Sequence, residues 1–273
     1  MSRFRYIRVE SERGVQTITL NRPEKRNALS PELIDELTRV LDETSECDCG
    51  VVILTGAGSA FCAGLDLEHL ETMTAHTVEE HRRDSENMAR VLRRLYEFPK
   101  PVIAAVNGPA IAGGMGLATL CDFTYAVPDA RFGYTEVRVG FVPAIVASFL
   151  RRQIGEKRTR ELLLSGRILK ADEACRMGLV TRIVQPEELM AEAHACAQGL
   201  LMNSPQAMRA VKELLAAHSA DQLDEEIEGA IAANALQRST EDFREGVRAF
   251  LEHRRAEWPS ISPHAHEHTH AKV

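Results

Sequence analysis

The chain has 273 residues, 44% of them hydrophobic and 27% charged, with a formal net charge of -7. This length allows one large domain or a core with a small appendage, and the negative charge argues against nucleic-acid binding, which needs a basic stripe. No apolar run approaches the roughly 18 residues of a membrane span, and the start of the chain lacks a signal-peptide core, so we expect a cytoplasmic protein that does not bind membranes.

The N-terminal segment predicts a β-hairpin followed by a helix. Apolar and polar residues alternate over 6–9 and 15–20, and a turn-like segment lies between them. Further on, Ser30 is followed by Pro31, which is typical of an N-cap and the first position of a helix. Apolar residues then recur at helical spacing over 33–41, which supports this helix.

The middle of the chain alternates strand and helix signals. Residues 51–54, 102–106 and 121–126 are short apolar runs that predict buried strands, and 78–98 is a long amphipathic helix. A further helix is expected from about Gly113. Strands that alternate with helices favour an α/β fold with largely parallel sheets.

The C-terminal part changes character after about residue 186, where strand signals stop. The predicted helices there are 186–199, 204–217, 221–238 and 240–257. Beyond them, residues 260–273 have low apolar content, which indicates disorder. This tail contains four histidines, and a His-rich tract also allows metal binding: they are His264, His266, His268 and His270.

The six cysteines give no sign of a metal site. None forms C-x-x-C, and the spacing of Cys47 and Cys49 is too tight for zinc. We interpret all six as reduced thiols and predict no bound metal.

Two glycine-rich segments, 56–66 and 112–114, follow buried strands. Free N–H groups at a helix start carry positive partial charge, and two that converge on one point would form an oxyanion hole. For a glycine pair taken alone, tight packing of helix on strand is the favoured explanation. The first segment is neither a P-loop nor a dinucleotide fingerprint.

Glu136 is the third feature that could carry chemistry. It follows a predicted short strand and precedes an apolar stretch that glycine and proline interrupt. An acid among apolar neighbours is a candidate for a raised pKa and for acid–base catalysis. A surface or capping glutamate is the alternative interpretation.

Four motifs in order resemble the crotonase (enoyl-CoA hydratase/isomerase) superfamily. They are FCAGLDL at 61–67, AAVNGPAIAGGMGLATLCD at 104–122, ARFGYTE at 130–136 and LLLSGRILKADEACRMGLV at 162–180. The resemblance runs from about residue 15 to 258. No single motif carries it, whereas four at the expected separations are specific.

The resemblance implies a fold and an assembly. The crotonase fold is a spiral of β-β-α turns with a helical C-terminal region that forms trimers. On this pattern we expect a spiral core with the acyl-CoA site at 1–200, a trimerisation region at 201–258 and a disordered tail at 259–273. A homotrimer or homohexamer is the expected assembly.

The resemblance also implies a site in which two backbone N–H groups hold the thioester oxygen of an acyl-CoA. By motif position these belong to Leu65 and Gly113. Coenzyme A is part of the substrate, and no separate cofactor is implied. The implied substrate-binding residues are Lys25, Arg26, Ala28, Ala63, Gly64, Asp66, Leu67, Gly114, Gly116, Phe250 and Arg254.

The catalytic positions depart from the hydratase pattern. Typical hydratases have two glutamates; Glu136 matches one, and Gly116 stands where the other is expected. One interpretation is a 3-enoyl-CoA isomerase, which needs a single carboxylate. Another is a hydratase with a second group from the lid segment 66–90, where the candidates are Glu68, His69, Glu71, His76, Glu79, Glu80, His81 and Glu86.

A third interpretation is that the chain belongs to a branch of the superfamily that resembles methylglutaconyl-CoA hydratases and other hydratases that act on branched or acidic enoyl-CoA substrates. Arg138 is then either a surface residue or a helper near the carboxylate. We predict an enoyl-CoA hydratase, with the isomerase as the alternative. A non-catalytic CoA-binding scaffold is a further possibility that a Glu136→Gln variant would separate from both enzymes.

Overall fold

The computed structural model describes residues 3–218 and 220–261 and places most strands in one sheet. In spatial order this sheet contains β1 (Ile7–Glu12), β2 (Val15–Leu20), β3 (Val51–Gly56), β4 (Val102–Val106), β6 (Phe123–Ala126) and β9 (Arg182–Ile183). A second sheet contains β5 (Ala110–Ile111), β7 (Arg131–Gly133) and β8 (Leu169–Lys170). The predicted tail with His264, His266, His268 and His270 lies outside the described residues.

The main sheet confirms the predicted hairpin and the buried strands. β1 and β2 pair antiparallel, with Ile7 opposite Leu20, whereas the remaining neighbours pair parallel. β4 is buried along its whole length, as expected for a parallel sheet covered on both faces. β6 begins at Phe123, later than predicted, because the Asp122 carboxylate instead accepts a hydrogen bond from the Val102 N–H.

Ten helices accompany these sheets in the described part of the chain. They are α1 (Pro31–Glu46), α2 (Leu67–Met73), α3 (Val78–Tyr96), α4 (Gly113–Thr119), α5 (Ala144–Ser165), α6 (Ala171–Arg176), α7 (Leu189–Leu201), α8 (Pro205–Ala217), α9 (Ala220–Gln237) and α10 (Glu241–Leu251). The Ser30 side chain caps α1 as predicted. α10 ends earlier than expected, and His253 just beyond it has a φ of 54°, which is incompatible with continuing the helix.

The helices bring distant parts of the chain around one cavity. The main hydrophobic core extends from Phe4 to Ile231. α3 packs against α1 and α9, and α10 packs against a short 3-10 turn at Glu136–Val139.

None of the helices in the described part combines the length and apolar character that crossing a bilayer requires. The predicted division into a spiral core, a trimerisation region and a tail, with boundaries at 200 and 258, stays a prediction.

Candidate active site

Two chain segments that follow buried strands lie side by side in the site. Cys62 and Ala110 form a parallel β-bridge, and the Ile111 N–H donates to the Cys62 carbonyl at 2.9 Å. Gly64 has a φ of 95°, and a Cβ there would lie 3.0 Å from the Ile111 carbonyl oxygen. Glycine therefore permits both the backbone conformation and the close approach of the two segments.

The bridge aligns the backbone N–H groups of Leu65 and Gly113, each three residues beyond its bridged partner. Neither N–H donates a hydrogen bond to any residue within 3–218 or 220–261. Gly113 is the first residue of α4, where N–H groups lack intrahelical acceptors and the helix dipole is positive. Two such donors can hold developing negative charge on a carbonyl oxygen.

The glycine pair also serves packing. A Cβ on Gly114 would lie 2.4 Å from the Cys62 carbonyl oxygen, closer than atoms can approach. Both sequence interpretations of this pair are thus compatible, because close packing of α4 on the first segment is what brings the two N–H groups together.

Ala112, just before α4, has a strained backbone with φ 50° and ψ -122°. A non-glycine residue in such a conformation costs about 1–3 kcal/mol and persists where the surrounding structure holds it. Here the Ala112 N–H donates to the Gly133 carbonyl at 2.7 Å. This bond fixes the turn that directs the first N–H groups of α4 away from the sheet.

A cavity of about 470 Å³ lies beside these donors. Leu65, Gly113 and Glu136 line it together, so the three residues predicted for chemistry meet in one place. Of the predicted substrate-binding residues, Ala63, Leu67 and Phe250 also line it. The other predicted residues stand outside the lining: Lys25, Arg26, Ala28, Gly64, Asp66, Gly114, Gly116 and Arg254.

Glu136 begins the 3-10 turn at Glu136–Val139 and directs its carboxylate inward. The residue is half-buried, and its Oε2 atom is buried with no hydrogen-bond partner in the described part of the chain. Burial raises the pKa of Glu136 from its ordinary 4.5 to about 7, although a hydrogen bond to its own backbone opposes the shift. A carboxyl group with a pKa near neutrality can both accept and return a proton.

Gly116 is surrounded by apolar side chains. A Cβ at this position would lie 3.2 Å from Val146 Cγ1 and 3.3 Å from Leu92 Cδ2, and both neighbours line the cavity. The place where a second glutamate is expected in hydratases is therefore small and apolar in this protein.

The lid segment contributes a different acid from those proposed on sequence. None of its candidate Glu and His residues lines the cavity, whereas Asp84 on α3 does. Asp84 Oδ1 lies 2.9 Å from His69 Nε2, and Asp84 Oδ2 accepts from Arg238 Nη1 at 2.6 Å. Burial alone would raise the Asp84 pKa, but these hydrogen bonds and the guanidinium charge hold it below 3.8.

Asn234 and Arg238 also line the cavity, and sequence analysis missed them. Asn234 lies within α9 and Arg238 just after it. The Arg238 guanidinium stacks 4.4 Å from the centre of the Phe141 ring. The one sign of a functional residue in the sequence was a polar asparagine among the apolar residues of α9. The sequence does not show which residue of α3 this asparagine faces.

The loop predicted to bind coenzyme A lies against the first glycine-rich segment. The Ala63 N–H donates to the Arg26 carbonyl at 3.0 Å. Lys25 is partly exposed and pairs with Glu68 at 2.5 Å. Their contact with coenzyme A stays a prediction. Ala28, which is buried, belongs to the same loop.

Asp66 has a clear structural position. Its side chain caps α2 by accepting from the Glu68 and His69 N–H groups, and it pairs with Arg22 at 2.7 Å. Burial opposes ionisation, but the bond from Arg22 and the cap hydrogen bonds outweigh it and lower the Asp66 pKa. This pairing holds the start of the lid to the loop at 22–28.

Of the aromatic and basic residues predicted at the C-terminal end, only Phe250 borders the cavity. Phe250 is 47% exposed and still lines the cavity. Arg254 is on the surface, where it pairs with Glu245 and Glu252. Arg138 is exposed and also lines the cavity together with Glu136, so both interpretations of this residue stay open.

Comparisons with known proteins identify the family of the chain. The family model described as enoyl-CoA hydratase/isomerase matches residues 10–261. A provisionally named enoyl-CoA hydratase of Thermus thermophilus is 47% identical, with 90% of this chain and 98% of that protein covered. A short-chain-enoyl-CoA hydratase of Clostridium acetobutylicum is 37% identical, with 91% and 95% covered.

A solved structure gives the same result for the fold. The enoyl-CoA hydratase/isomerase from Xanthobacter autotrophicus Py2 superimposes with a TM-score of 0.83 at 32% identity. The match covers 91% of this chain and 97% of that chain. The predicted crotonase-like α/β fold is thereby confirmed.

Proposed function

Because the chain belongs to the enoyl-CoA hydratase/isomerase family, we propose that it adds water to a 2-enoyl-CoA thioester with Glu136 as its single acid–base residue. The observation that carries this proposal is that Glu136, whose Oε2 has no partner in the described part of the chain, lines the same cavity as Leu65 and Gly113. The hydratase names of the Clostridium and Thermus relatives support hydration as the reaction.

In the proposed reaction the N–H groups of Leu65 and Gly113 donate hydrogen bonds to the thioester carbonyl oxygen. Their hydrogen bonds draw electrons from the double bond toward that oxygen and make the β-carbon electrophilic. A donor of this kind contributes roughly 2.7–4 kcal/mol to transition-state stabilisation in other enzymes. The bridge between Cys62 and Ala110 holds the donors in place before substrate arrives.

Glu136 then moves the proton. Its ionised carboxylate accepts a proton from water as the water oxygen bonds to the β-carbon, and the π electrons move to the thioester oxygen as an enolate. The enolate next takes that proton from Glu136 at the α-carbon. One carboxylate that performs both transfers delivers water and proton to the same face of the double bond.

The pKa of Glu136, raised to about 7 by burial, suits this double role. A carboxylate of ordinary acidity would accept a proton from water less readily, and a more basic one would return it less readily. Asp84 does not compete for this role because His69 and Arg238 occupy both its oxygens.

Isomerisation of a 3-enoyl-CoA to a 2-enoyl-CoA is the second candidate. The apolar surroundings of Gly116, formed by Leu92 and Val146, favour it because they provide no second group to orient water. In this reaction Glu136 removes a proton from the α-carbon and returns it to the γ-carbon, while the same N–H groups hold the enolate.

We also propose a homotrimeric or homohexameric assembly. α8 has no buried residue in the single chain, and its exposed apolar side chains include Val211, Leu214 and Leu215. Apolar side chains grouped on one helix are typical of a surface that another subunit covers. The cytoplasmic location stays a prediction.

The test is a paired turnover assay with purified protein, in which crotonyl-CoA and a 3-enoyl-CoA are supplied separately and products are separated by chromatography. Hydration of crotonyl-CoA is the expected result. Conversion of the 3-enoyl-CoA alone would assign the isomerase. Glu136→Gln must abolish either activity, whereas Glu10→Gln, an exposed carboxylate on β1, must not.

If neither thioester reacts but coenzyme A esters still bind, either the true substrate carries a branched or acidic acyl group or the scaffold interpretation replaces the proposed reaction. Calorimetric titration with a saturated acyl-CoA measures this binding without turnover.

A further inference from the structure

One wall of the cavity is polar although the rest is mainly apolar. It consists of Asp84 from α3 with Asn234 and Arg238 from the end of α9, and we call it the polar wall. Arg238 and Asn234 are almost fully buried, with 4% and 2% of their surfaces exposed. Buried polar side chains are normally fully hydrogen-bonded.

The polar wall has hydrogen-bonding capacity that the described residues leave unused. Arg238 Nε and Asn234 Oδ1 are buried and have no partner within 3–218 or 220–261. The ion pair with Asp84 uses a different nitrogen of Arg238, Nη1. One buried donor and one buried acceptor, on two residues that line the cavity, are thus left without a partner.

The position of the polar wall suits the distal part of an acyl chain. The Met88 side chain borders Gly113, one of the two N–H donors. Asp84 lies one turn earlier on the same helix and also lines the cavity. Four residues of α-helix span about 6 Å, which corresponds to a few carbon–carbon bonds beyond the thioester carbonyl.

The charges of the polar wall narrow the kind of group it can accept. The Asp84 carboxylate balances the Arg238 guanidinium and is shared with His69. A cationic group would face the Arg238 guanidinium, whose Nε still lacks an acceptor, and is disfavoured. An oxygen suits the wall, because it accepts from Arg238 Nε and bonds to either end of the Asn234 amide.

We infer that the polar wall is a subsite for an oxygen, either a carboxylate or a hydroxyl, at the distal end of the acyl chain. This inference rests on the proposed function in one respect, that the substrate is an acyl-CoA thioester. It does not depend on which reaction the protein catalyses. A hydroxyl matches the two unpartnered atoms, because it accepts from Arg238 Nε and donates to Asn234 Oδ1. A carboxylate accepts from Arg238 Nε and requires the Asn234 amide to be turned so that its NH₂ group donates.

The test compares affinities of saturated acyl-CoA esters by isothermal titration calorimetry. A chain that ends in a carboxylate is paired with one that ends in an isopropyl group, and a terminal hydroxyl with a terminal methyl. Chain length is stepped one methylene at a time. We expect a preference of roughly 10- to 100-fold for one of the oxygen-bearing esters at one chain length.

The Asn234→Leu variant tests the assignment of the wall. It should reduce this preference by about tenfold while the affinity for the apolar ester stays unchanged. Asn87→Leu is the matched control, since Asn87 lies on α3 outside the cavity lining, and it should keep the preference. Arg238→Met is a second variant, with circular dichroism as the check that it folds.

The outcomes separate this inference from the proposed function. Equal affinities for each pair, equal losses for both esters in Asn234→Leu, or no binding of any ester would overturn the subsite. Hydration of crotonyl-CoA would then still support the proposed reaction. Conversely, a preference in binding without hydration or isomerisation would keep the subsite and overturn the reaction.

Discussion

The cavity contains two carboxylates, and their surroundings are opposite. Glu136 Oε2 is buried without a partner in the described part of the chain, and burial raises the pKa of this residue to about 7. Asp84 is also in the lining, but His69 and Arg238 bond to it and lower its pKa despite burial. The same functional group is therefore reactive on one wall and fixed on the other.

The difference teaches that partners, more than burial, decide what a buried acid can do. Burial raises the pKa of both residues. Only Glu136 keeps that shift, because the hydrogen bond to its own backbone is too weak to offset the effect of burial. Acids that differ in this way can be separated by experiments on activity, stability and pH.

The largest expected effect is on catalysis. Replacing Glu136 with glutamine keeps the size of the side chain but removes proton transfer, so kcat should fall roughly 10²–10⁴-fold. The measurement is steady-state turnover of the thioester identified in the paired assay. A loss smaller than about tenfold would mean that another group moves the proton.

The next effect is on stability. Asp84→Asn leaves Arg238 buried without a counter-charge, and breaking a buried pair costs about 3 kcal/mol in the free energy of unfolding. Urea denaturation measures it. The control is Asp224→Asn, which breaks an exposed pair with Arg93 and should cost well below 1 kcal/mol. Similar losses in both variants would contradict the role assigned to the buried pair.

The pH dependence of activity should follow Glu136. Its ionised form accepts the proton from water, so kcat should rise about tenfold per pH unit below about 7 and level off above it. A profile that is flat between pH 5 and 8 would contradict the raised pKa. The profile should be measured on the purified wild type with buffers of constant ionic strength.

Stability should depend on pH in two separate windows. The raised pKa of Glu136 means that the folded state binds a proton more tightly than the unfolded state does. The contribution of Glu136 to the free energy of unfolding therefore falls as pH rises from about 4.5 to about 7. Glu136→Gln should remove this fall. The lowered pKa of Asp84 acts oppositely, and its contribution is lost as pH drops below its ordinary 3.8. Thermal melting across this pH range checks both.

The smallest effect is expected at Gly116. Alanine there meets the flexible ends of Val146 and Leu92 at 3.2–3.3 Å, so the unfolding free energy should change by about 1 kcal/mol or less. Activity should stay within about threefold. Gly114→Ala is the contrasting variant, because its Cβ meets a backbone carbonyl oxygen at 2.4 Å, and it should lose activity by displacing the first turn of α4.

Local patterns in the sequence predicted much of the fold and one wall of the site. Ser30 before Pro31 marked the start of α1, and alternation marked the hairpin of β1 and β2. Glu136 was identified because it stands among apolar neighbours next to a short strand. Leu65 and Gly113 were placed by motif position, and the structure brings all three to one cavity.

The polar wall could not be predicted in the same way. Asp84 and Arg238 are separated by 154 positions and come together only when α3 packs on α9. Their residue types are also common on exposed helix faces, so the sequence alone does not distinguish them from the surrounding charges. The apolar surroundings of Gly116 likewise depend on Leu92 and Val146, which belong to different helices.

The bridge between Cys62 and Ala110 has a consequence for how such an enzyme can diverge. It ties the carbonyl-holding segments to each other and to the sheets, whereas the polar wall belongs to α3 and α9. Mutations on those two helices can change which acyl tail is accepted without altering the spacing of the two N–H donors. Selectivity and reactivity can therefore be inherited, and altered, as nearly independent traits.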